Sequence, residues 1–171
     1  MKDHTSKIKH RRSIQGFTLI EVLIATLLVG LAIAGLVGAN SSFTMANAAG
    51  TDMSTAEFLA EQIRELTAML PVIDPETETG FDTKEATWAT YDDLDDFDGF
   101  NSSSLGGPIS ATRTVLTEFS TFAQEVTVQN VSASNFDTVV ADNGSAFLRV
   151  SVVVRQNGRQ LVSASWIRAN Y

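Results

Sequence analysis

Residues 17–39 read FTLIEVLIATLLVGLAIAGLVGA and carry one formal charge, that of Glu21. A helix of this length rises about 1.5 Å per residue and spans roughly 34 Å, which exceeds a bilayer core of about 30 Å. The stretch is therefore predicted to form a membrane-spanning helix. A carboxylate inside such a span is costly, and it is usually retained because it meets a partner.

The segment before this helix is short and basic. Residues 1–16 have a net charge of +4, so the remaining chain must carry −12 to reach the total of −8. An ordinary secretory signal is cleaved after its apolar run, whereas the one plausible site here, Gly16-Phe17, precedes that run. Cleavage would keep the hydrophobic segment and create an α-amino group on Phe17, with a reference pKa of about 7.7–8. The carboxylate of Glu21 could form an ion pair with this amine. Two alternatives stay open: the segment is an uncleaved signal-anchor, or Glu21 only reaches lipid headgroups.

Residues 16–23, GFTLIEVL, resemble the class III signal of the type IV pilin and pseudopilin superfamily at every position. The resemblance implies that a prepilin peptidase cuts after Gly16 and N-methylates Phe17. It also implies that Glu21 meets the amine of another pilin or pseudopilin subunit and sets the axial stagger of a filament. The close match covers about residues 11–40, and beyond it only the general plan is shared.

Helical periodicity resumes after a small polar segment. Residues 40–70 are predicted to continue the first helix as an amphipathic helix that ends before Pro71. Residues 54–57 fit a capping box, which leaves open a second helix beginning there. The predicted apolar stripe consists of Ala56, Leu59, Ile63, Leu66 and Leu70.

Residues 71–108 are predicted to form an acidic loop region. Between positions 74 and 99 there are ten acidic residues and one basic residue, Lys84. Most such runs are solvated, but oxygen-rich clusters can also bind Ca²⁺. The spacing does not fit an EF-hand loop. The expected Ca²⁺ ligands are the carboxylates of Asp92, Asp93, Asp95, Asp96 and Asp98.

Residues 109–171 change to a period of two, which predicts an antiparallel sheet of three to five strands covered by the long helix. Phe122, Val126 and Val128 share one face of a strand, interrupted by Gln124. In the final hairpin, Asn157-Gly158 suggests a two-residue turn, but that turn would pair even with odd positions. A three-residue loop over residues 156–158 is therefore predicted, and it pairs Val152 with Val162 and Leu148 with Trp166.

The sequence argues against an enzyme. The chain has no cysteine, and its two histidines, His4 and His10, both lie in the leader. Cleavage after Gly16 would remove both histidines, and with them Ser-His-Asp triads and nearly all zinc sites. Nucleic acid is disfavoured because phosphate binding needs a basic surface. A local basic patch on the final hairpin stays open, formed by Arg149, Arg155, Arg159 and Arg168.

The sequence thus predicts an α+β fold in which a long N-terminal helix packs on a small antiparallel sheet. The expected function is a structural subunit, minor in its filament, of a type IV pilus or a type II secretion pseudopilus. It would be held as a single-span protein in the inner membrane, with a cytoplasmic N-terminus and a periplasmic or extracellular C-terminal domain. Its expected partners are prepilin peptidase, other subunits, an inner-membrane assembly platform and lipid. The alternative is a single-span tether in which residues 91–100, the acidic tract, bind Ca²⁺ or a cationic partner.

Overall fold

The computed structural model describes residues 16–75, 81 and 84–170. Residues 1–15 of the predicted leader and the acidic positions 76, 78 and 82 lie outside this described part. The chain divides into two units, residues 1–46 and 47–171. The predicted α+β class is confirmed. The main elements are α1 (Leu19–Ala68), β1 (Phe122–Ser132), β2 (Asn135–Val139), β3 (Phe147–Gln156) and β4 (Arg159–Ala169).

The first part of α1 has no buried side chain. The helix is 50 residues long, and every residue from 16 to 51 is exposed. Within the described part of the chain, α1 is the one helix long and apolar enough to cross a membrane by length and composition. The helix continues without interruption through residues 54–57, so the alternative of a second helix starting there is not what forms.

The second part of α1 buries the predicted stripe. Its buried residues share one core with the inner face of the sheet, and each fully buried leucine or isoleucine contributes roughly 1.5–3 kcal/mol relative to exposure. The helix ends at Ala68, three residues before Pro71. The buried positions are Ala56, Leu59, Ala60, Ile63, Leu66 and Thr67.

The last carbonyls of α1 are capped from the sheet. The guanidinium of Arg168 on β4 donates one hydrogen bond to the carbonyl of Thr67 and another, of 3.0 Å, to the carbonyl of Leu70. Carbonyls at a helix C-terminus lack intrahelical donors, and a cation there also interacts favourably with the helix dipole. Arg168 therefore fixes the end of α1 to the edge strand.

The sheet has four antiparallel strands in the order β2-β1-β3-β4. The strand β3 alternates as the period-two pattern predicts, with Leu148, Val150, Val152 and Val154 buried. These side chains and those of the β1 inner face cover the apolar stripe of α1. Asn143, in the turn before β3, has a φ of 59°.

The turn of the final hairpin differs from the prediction. Gln156 pairs directly with Arg159, so the loop has two residues, Asn157 and Gly158. Their φ values are 50° and 81°, and two successive positive values are typical of the type I′ turn that suits the twist of a hairpin. The prediction of a three-residue loop over 156–158 is wrong.

A bulge beyond the turn resets the register. The pairing shifts between Val154 and Arg155, so Leu161 on β4 has no direct partner. This extra residue restores the pairing of even-numbered residues on β3 with even-numbered residues on β4. The predicted three-residue loop would have given the same parity. The predicted pairs are therefore wrong by two positions. The observed pairs are Val154 with Val162, Val152 with Ala164, Val150 with Trp166 and Leu148 with Arg168.

Gln124 interrupts the apolar pattern of β1 because its side chain joins three segments inside the core. It is fully buried. Its Nε2 donates to the carbonyls of Leu59, at 2.8 Å, and Ile109, at 3.1 Å, and its Oε1 accepts from the Ile109 amide at 2.7 Å. One amide thus satisfies backbone groups of the loop before β1 and contacts α1.

Candidate functional site

The start of α1 is stabilised by Glu21 itself. The Oε2 atom of Glu21 accepts from the backbone amide and from the hydroxyl of Thr18, each at 3.2 Å. The hydroxyl oxygen of Thr18 in turn accepts from the amide of Glu21 at 3.3 Å. This reciprocal pair is a capping box, which satisfies two amides that have no partner within the helix. The signal for it, a threonine three positions before a glutamate, is present in the sequence but was not among the features predicted above.

Phe17 precedes the capping threonine and lines a shallow groove together with Val22. A hydrophobic contact between these two positions often accompanies a capping box and fixes the direction in which the chain enters a helix. Phe17 is nevertheless 85 % exposed. The structure therefore places Gly16, Phe17 and Glu21 within one turn of the helix start, all exposed, with residues 16–18 outside the helix.

The acidic tract is largely buried. Asp93, Asp95 and Asp96 are exposed by 2 %, 6 % and 2 %, whereas Asp98 is exposed. A short 3₁₀ helix, Asp95–Phe97, runs through the tract, and Phe97 is fully buried between the rings of Tyr91 and Phe100. The alternation of carboxylates with apolar residues therefore serves to insert this segment into the core.

Three of the predicted ligand residues bind backbone amides, and Asp93 does so through Oδ1, which accepts from the amide of Asp96 at 3.3 Å. Asp96 accepts from the amide of Glu85 at 3.2 Å through Oδ1 and from the amide of Asp92 at 3.0 Å through Oδ2. Asp98 accepts from the amide of Val128 on β1 at 2.9 Å. These contacts hold residues 84–100 in place beside the sheet.

The structure adds two carboxylates that the sequence analysis did not group with the tract. Asp74, Glu85 and Asp92 each place one carboxylate oxygen within 4.8 Å of the others. No spacing rule could have joined them, because eleven residues separate the first two and the path between them depends on the fold. We call Asp74, Glu85, Asp92, Asp93, Asp95 and Asp96 the carboxylate cluster.

Crowding within this cluster raises two pKa values. The hydrogen bond to the side chain of Asp96, followed by burial, raises the pKa of Glu85 from 4.5 to about 7. Burial, followed by the hydrogen bond to the side chain of Asp95, raises the pKa of Asp93 from 3.8 to about 9. Two carboxyl groups can share a hydrogen bond when one of them is protonated, so both shifts reflect negative charges placed close together.

The arginines of the final hairpin are mostly occupied within the fold. Arg149 donates to the carbonyl of Phe136 and the side chain of Gln129, and Arg155 forms a 2.9 Å ion pair with Glu125. Arg168 caps α1, as described above. Of the four arginines, only Arg159 is exposed, so the structure offers little support for the basic patch that the sequence left open.

The region around the start of α1 matches a known sequence motif. A family model described as the prokaryotic N-terminal methylation motif matches residues 11–37. This motif is the type IV pilin prepilin signature, so the resemblance noted from GFTLIEVL is confirmed over that segment. No curated protein and no solved structure matches the chain.

The match supports a type IV pilin-like or pseudopilin precursor, and the family defined by this motif is structural rather than enzymatic. The motif implies processing by a prepilin peptidase and assembly with other pilins. Together with α1, it fits a membrane-anchored pilin.

Proposed function

We propose that this chain is a subunit of a helical filament, either a type IV pilus or a type II secretion pseudopilus. It is made as a precursor, held in the inner membrane by the first part of α1, and cleaved between Gly16 and Phe17 with methylation of the new amine. One observation carries the proposal: the methylation motif coincides with a helix segment whose apolar side chains are all exposed.

The exposed segment needs an apolar environment. Large side chains along it, such as Leu27, Leu31 and Leu36, are 64–66 % exposed, and a continuous apolar surface of this kind marks a membrane or protein contact. A helix satisfies its own backbone hydrogen bonds, so it can pass from lipid into a bundle of like helices. Both environments bury the same surface, and this supports a route from membrane storage to filament.

In this mechanism, Glu21 sets the axial position of each subunit relative to its neighbour. Its carboxylate is exposed at the start of α1, where the new amine of a neighbouring Phe17 can reach it after cleavage. Such a pair would be desolvated among apolar helices, and removing one partner of a buried ion pair costs about 3–5 kcal/mol. A misplaced subunit would pay a similar cost, so the pair favours one axial stagger. Thr18 keeps the carboxylate at the helix start before the amine exists.

The proposal includes a minor place in the filament, a cytoplasmic N-terminus and a C-terminal domain on the far side of the membrane. The basic leader supports this orientation, because positively charged segments tend to remain cytoplasmic. An inner-membrane assembly platform would then receive the processed subunit.

Intact mass and N-terminal sequencing of the membrane-extracted protein test the processing step. We expect a mature chain that begins at N-methylated Phe17. A chain that retains Met1, or one cleaved downstream near Ala39, would contradict the proposal.

Substitution of Glu21 separates a filament subunit from a single-span tether. Glu21→Ala should still reach the membrane and be cleaved, but it should be absent from sheared filaments. Glu57→Ala, on the exposed side of the same helix, is the matched control and should assemble normally. If the wild type forms no filament and Glu21→Ala behaves as the wild type does, the tether is favoured instead.

A further inference from the structure

The carboxylate cluster brings six acidic side chains together, most of them buried. Four of its members, Asp74, Asp93, Asp95 and Asp96, are at most 6 % exposed. Lys84 is the basic residue nearest in sequence, but its Nζ donates to the backbone carbonyl of Asp98 at 2.7 Å and lies over a tyrosine ring. The two ion pairs found among the described residues, Arg64–Glu61 and Arg155–Glu125, lie elsewhere.

Three oxygens of the cluster are shielded from solvent and receive no hydrogen bond from an amide, hydroxyl or basic group of any described residue. They are Oε2 of Glu85, Oδ1 of Asp92 and Oδ2 of Asp93. Asp93 is the clearest case, because only 2 % of the residue is exposed and its other oxygen already accepts from the amide of Asp96 at 3.3 Å. Buried carboxylates are normally paired with a cation, fully hydrogen-bonded or bound to a metal.

The geometry of three members fits a single hard cation. Oxygens of Asp74, Glu85 and Asp92 lie within 4.8 Å of one another. Two oxygens bound to the same Ca²⁺ at about 2.3–2.6 Å are separated by at most about 5 Å. Mg²⁺ binds at about 2.0–2.1 Å with near-ideal octahedral geometry and usually keeps several waters, so it fits this group of protein oxygens less well.

Asp96 fixes the positions of two of these groups. Its two oxygens accept from the amides of Glu85 and Asp92, which brings two separate stretches of chain together. Both contacts use backbone amides, so Asp96 orients the backbone that carries the side chains of Glu85 and Asp92. Outer contacts of this kind commonly hold metal ligands in place.

We propose that Asp74, Glu85 and Asp92 bind one Ca²⁺ ion, with Asp96 acting as a positioning residue. This ligand set corrects the one expected from sequence, because Asp96 and Asp98 are used to bind backbone amides. The proposal concerns unit 47–171 and does not depend on the proposed function.

The ion would join two parts of that unit. Asp74 follows the end of α1 by six residues, whereas Glu85 and Asp92 belong to the segment that Asp98 and Gly99 attach to β1 through Val128 and Val126. Ca²⁺ would therefore tie the segment after the helix to the segment that covers the sheet edge.

Calorimetric titration of the full-length protein in detergent micelles tests this proposal. After removal of divalent ions with a chelator, CaCl₂ is titrated into the wild type, Glu85→Gln, Asp92→Asn and Asp137→Asn. We expect one Ca²⁺ per chain for the wild type and at least about tenfold weaker binding for the first two variants, since even outer contacts to a metal are worth about 10–100-fold. Asp137→Asn removes an exposed acid on β2, so it should bind Ca²⁺ as the wild type does.

Thermal melting of the same samples provides a second readout. Ca²⁺ should raise the melting temperature of the wild type and of Asp137→Asn, because a ligand that binds the native state stabilises it. If either cluster variant fails to fold, the wild-type isotherm and the Asp137→Asn control still decide the question. Absence of saturable Ca²⁺ binding by the wild type overturns the proposal, as does undiminished binding by a folded Glu85→Gln. The proposal is also overturned if Ca²⁺ does not change the melting temperature of the wild type and Glu85→Gln raises it. That result would mean that protons neutralise the cluster.

Discussion

The two parts of α1 are both rich in apolar residues, but they use them differently. In residues 16–51 every side chain is exposed, whereas six residues between Ala56 and Thr67 are buried in the core of unit 47–171. Residues 17–39 of the first part are apolar on all sides, residues 40–51 are small and largely polar, and the second part is apolar along one stripe. A helix that is hydrophobic all round is typical of a membrane span or a packed bundle, and a striped helix is typical of a globular surface.

Under the proposed function, this difference separates the surface that folds the chain from the surface that would assemble it. The stripe of the second part is satisfied within the chain, so it should determine the stability of unit 47–171. The apolar surface of the first part has no partner among the described residues of its own chain, so it should contribute to membrane binding and assembly. Substitutions of the same kind in the two parts should therefore have different consequences.

The largest contrast is expected from one leucine in each part. Leu59 is fully buried, and Leu59→Ala should lower the free energy of unfolding by about 2–5 kcal/mol because it removes buried methyl groups and leaves a cavity. Leu28 is 59 % exposed, and Leu28→Ala should change the same quantity by less than about 0.5 kcal/mol.

The measurement is denaturant unfolding of the detergent-solubilised protein, followed by tryptophan fluorescence. Both tryptophans, Trp88 and Trp166, lie in unit 47–171 and pack against its core, so the signal reports that unit. Equal destabilisation by the two substitutions would show that the parts of α1 are not energetically distinct.

The second prediction concerns the amide that contacts the second part of α1 from the sheet. Gln124→Met keeps the approximate size of the side chain but leaves the buried amide of Ile109 without its acceptor. An unsatisfied buried polar group costs about 1–3 kcal/mol, and the same unfolding experiment should show this loss. Gln160→Met, at an exposed position on β4, is the control. Wild-type stability of Gln124→Met would mean that the three hydrogen bonds contribute nothing net.

Gln124 also illustrates what could be predicted from the sequence. The stripe on α1, the period-two strands and their antiparallel arrangement follow from local patterns, and all three are confirmed. The polar interruption in β1 was visible, but its partners Leu59 and Ile109 are 65 and 15 residues away. The hairpin shows the same limit: parity required an extra residue, but only the packing of β4 places it at Leu161 rather than in the turn.

The two acidic sites differ in how far the sequence could describe them. Glu21 and Thr18 are three residues apart, so their capping box was readable from the chain alone. The carboxylate cluster depends on bringing Asp74 beside Glu85 and Asp92, across segments whose separation is not periodic. The sequence therefore indicated the acidic tract as a candidate site but could not identify which of its carboxylates bind backbone amides.

A smaller effect is expected at the C-terminal end of α1. Arg168→Met removes the donor to the carbonyls of Thr67 and Leu70 while keeping much of the apolar side-chain stem. Hydrogen bonds from charged groups contribute about 1.5–3 kcal/mol, but Arg168 is only partly buried, so we expect a loss near or below the lower end of that range. Arg159→Met, which changes an exposed arginine on the same strand, should be near neutral. Comparable losses in both variants would point to net charge rather than helix capping.

The smallest effect is expected at the opposite end of the helix, and it should be local. Thr18→Val preserves the shape of the side chain but removes the hydroxyl that exchanges hydrogen bonds with Glu21. Loss of an N-terminal cap costs about 0.5–2 kcal/mol, so amide hydrogen exchange of the first helical turn should accelerate in the detergent-solubilised precursor. Thr18→Ser retains a capping hydroxyl and should exchange like the wild type. Because the first part of α1 does not stabilise the folded core, unfolding of unit 47–171 should be unchanged in both variants; a parallel loss there would show that the two parts of the helix are coupled.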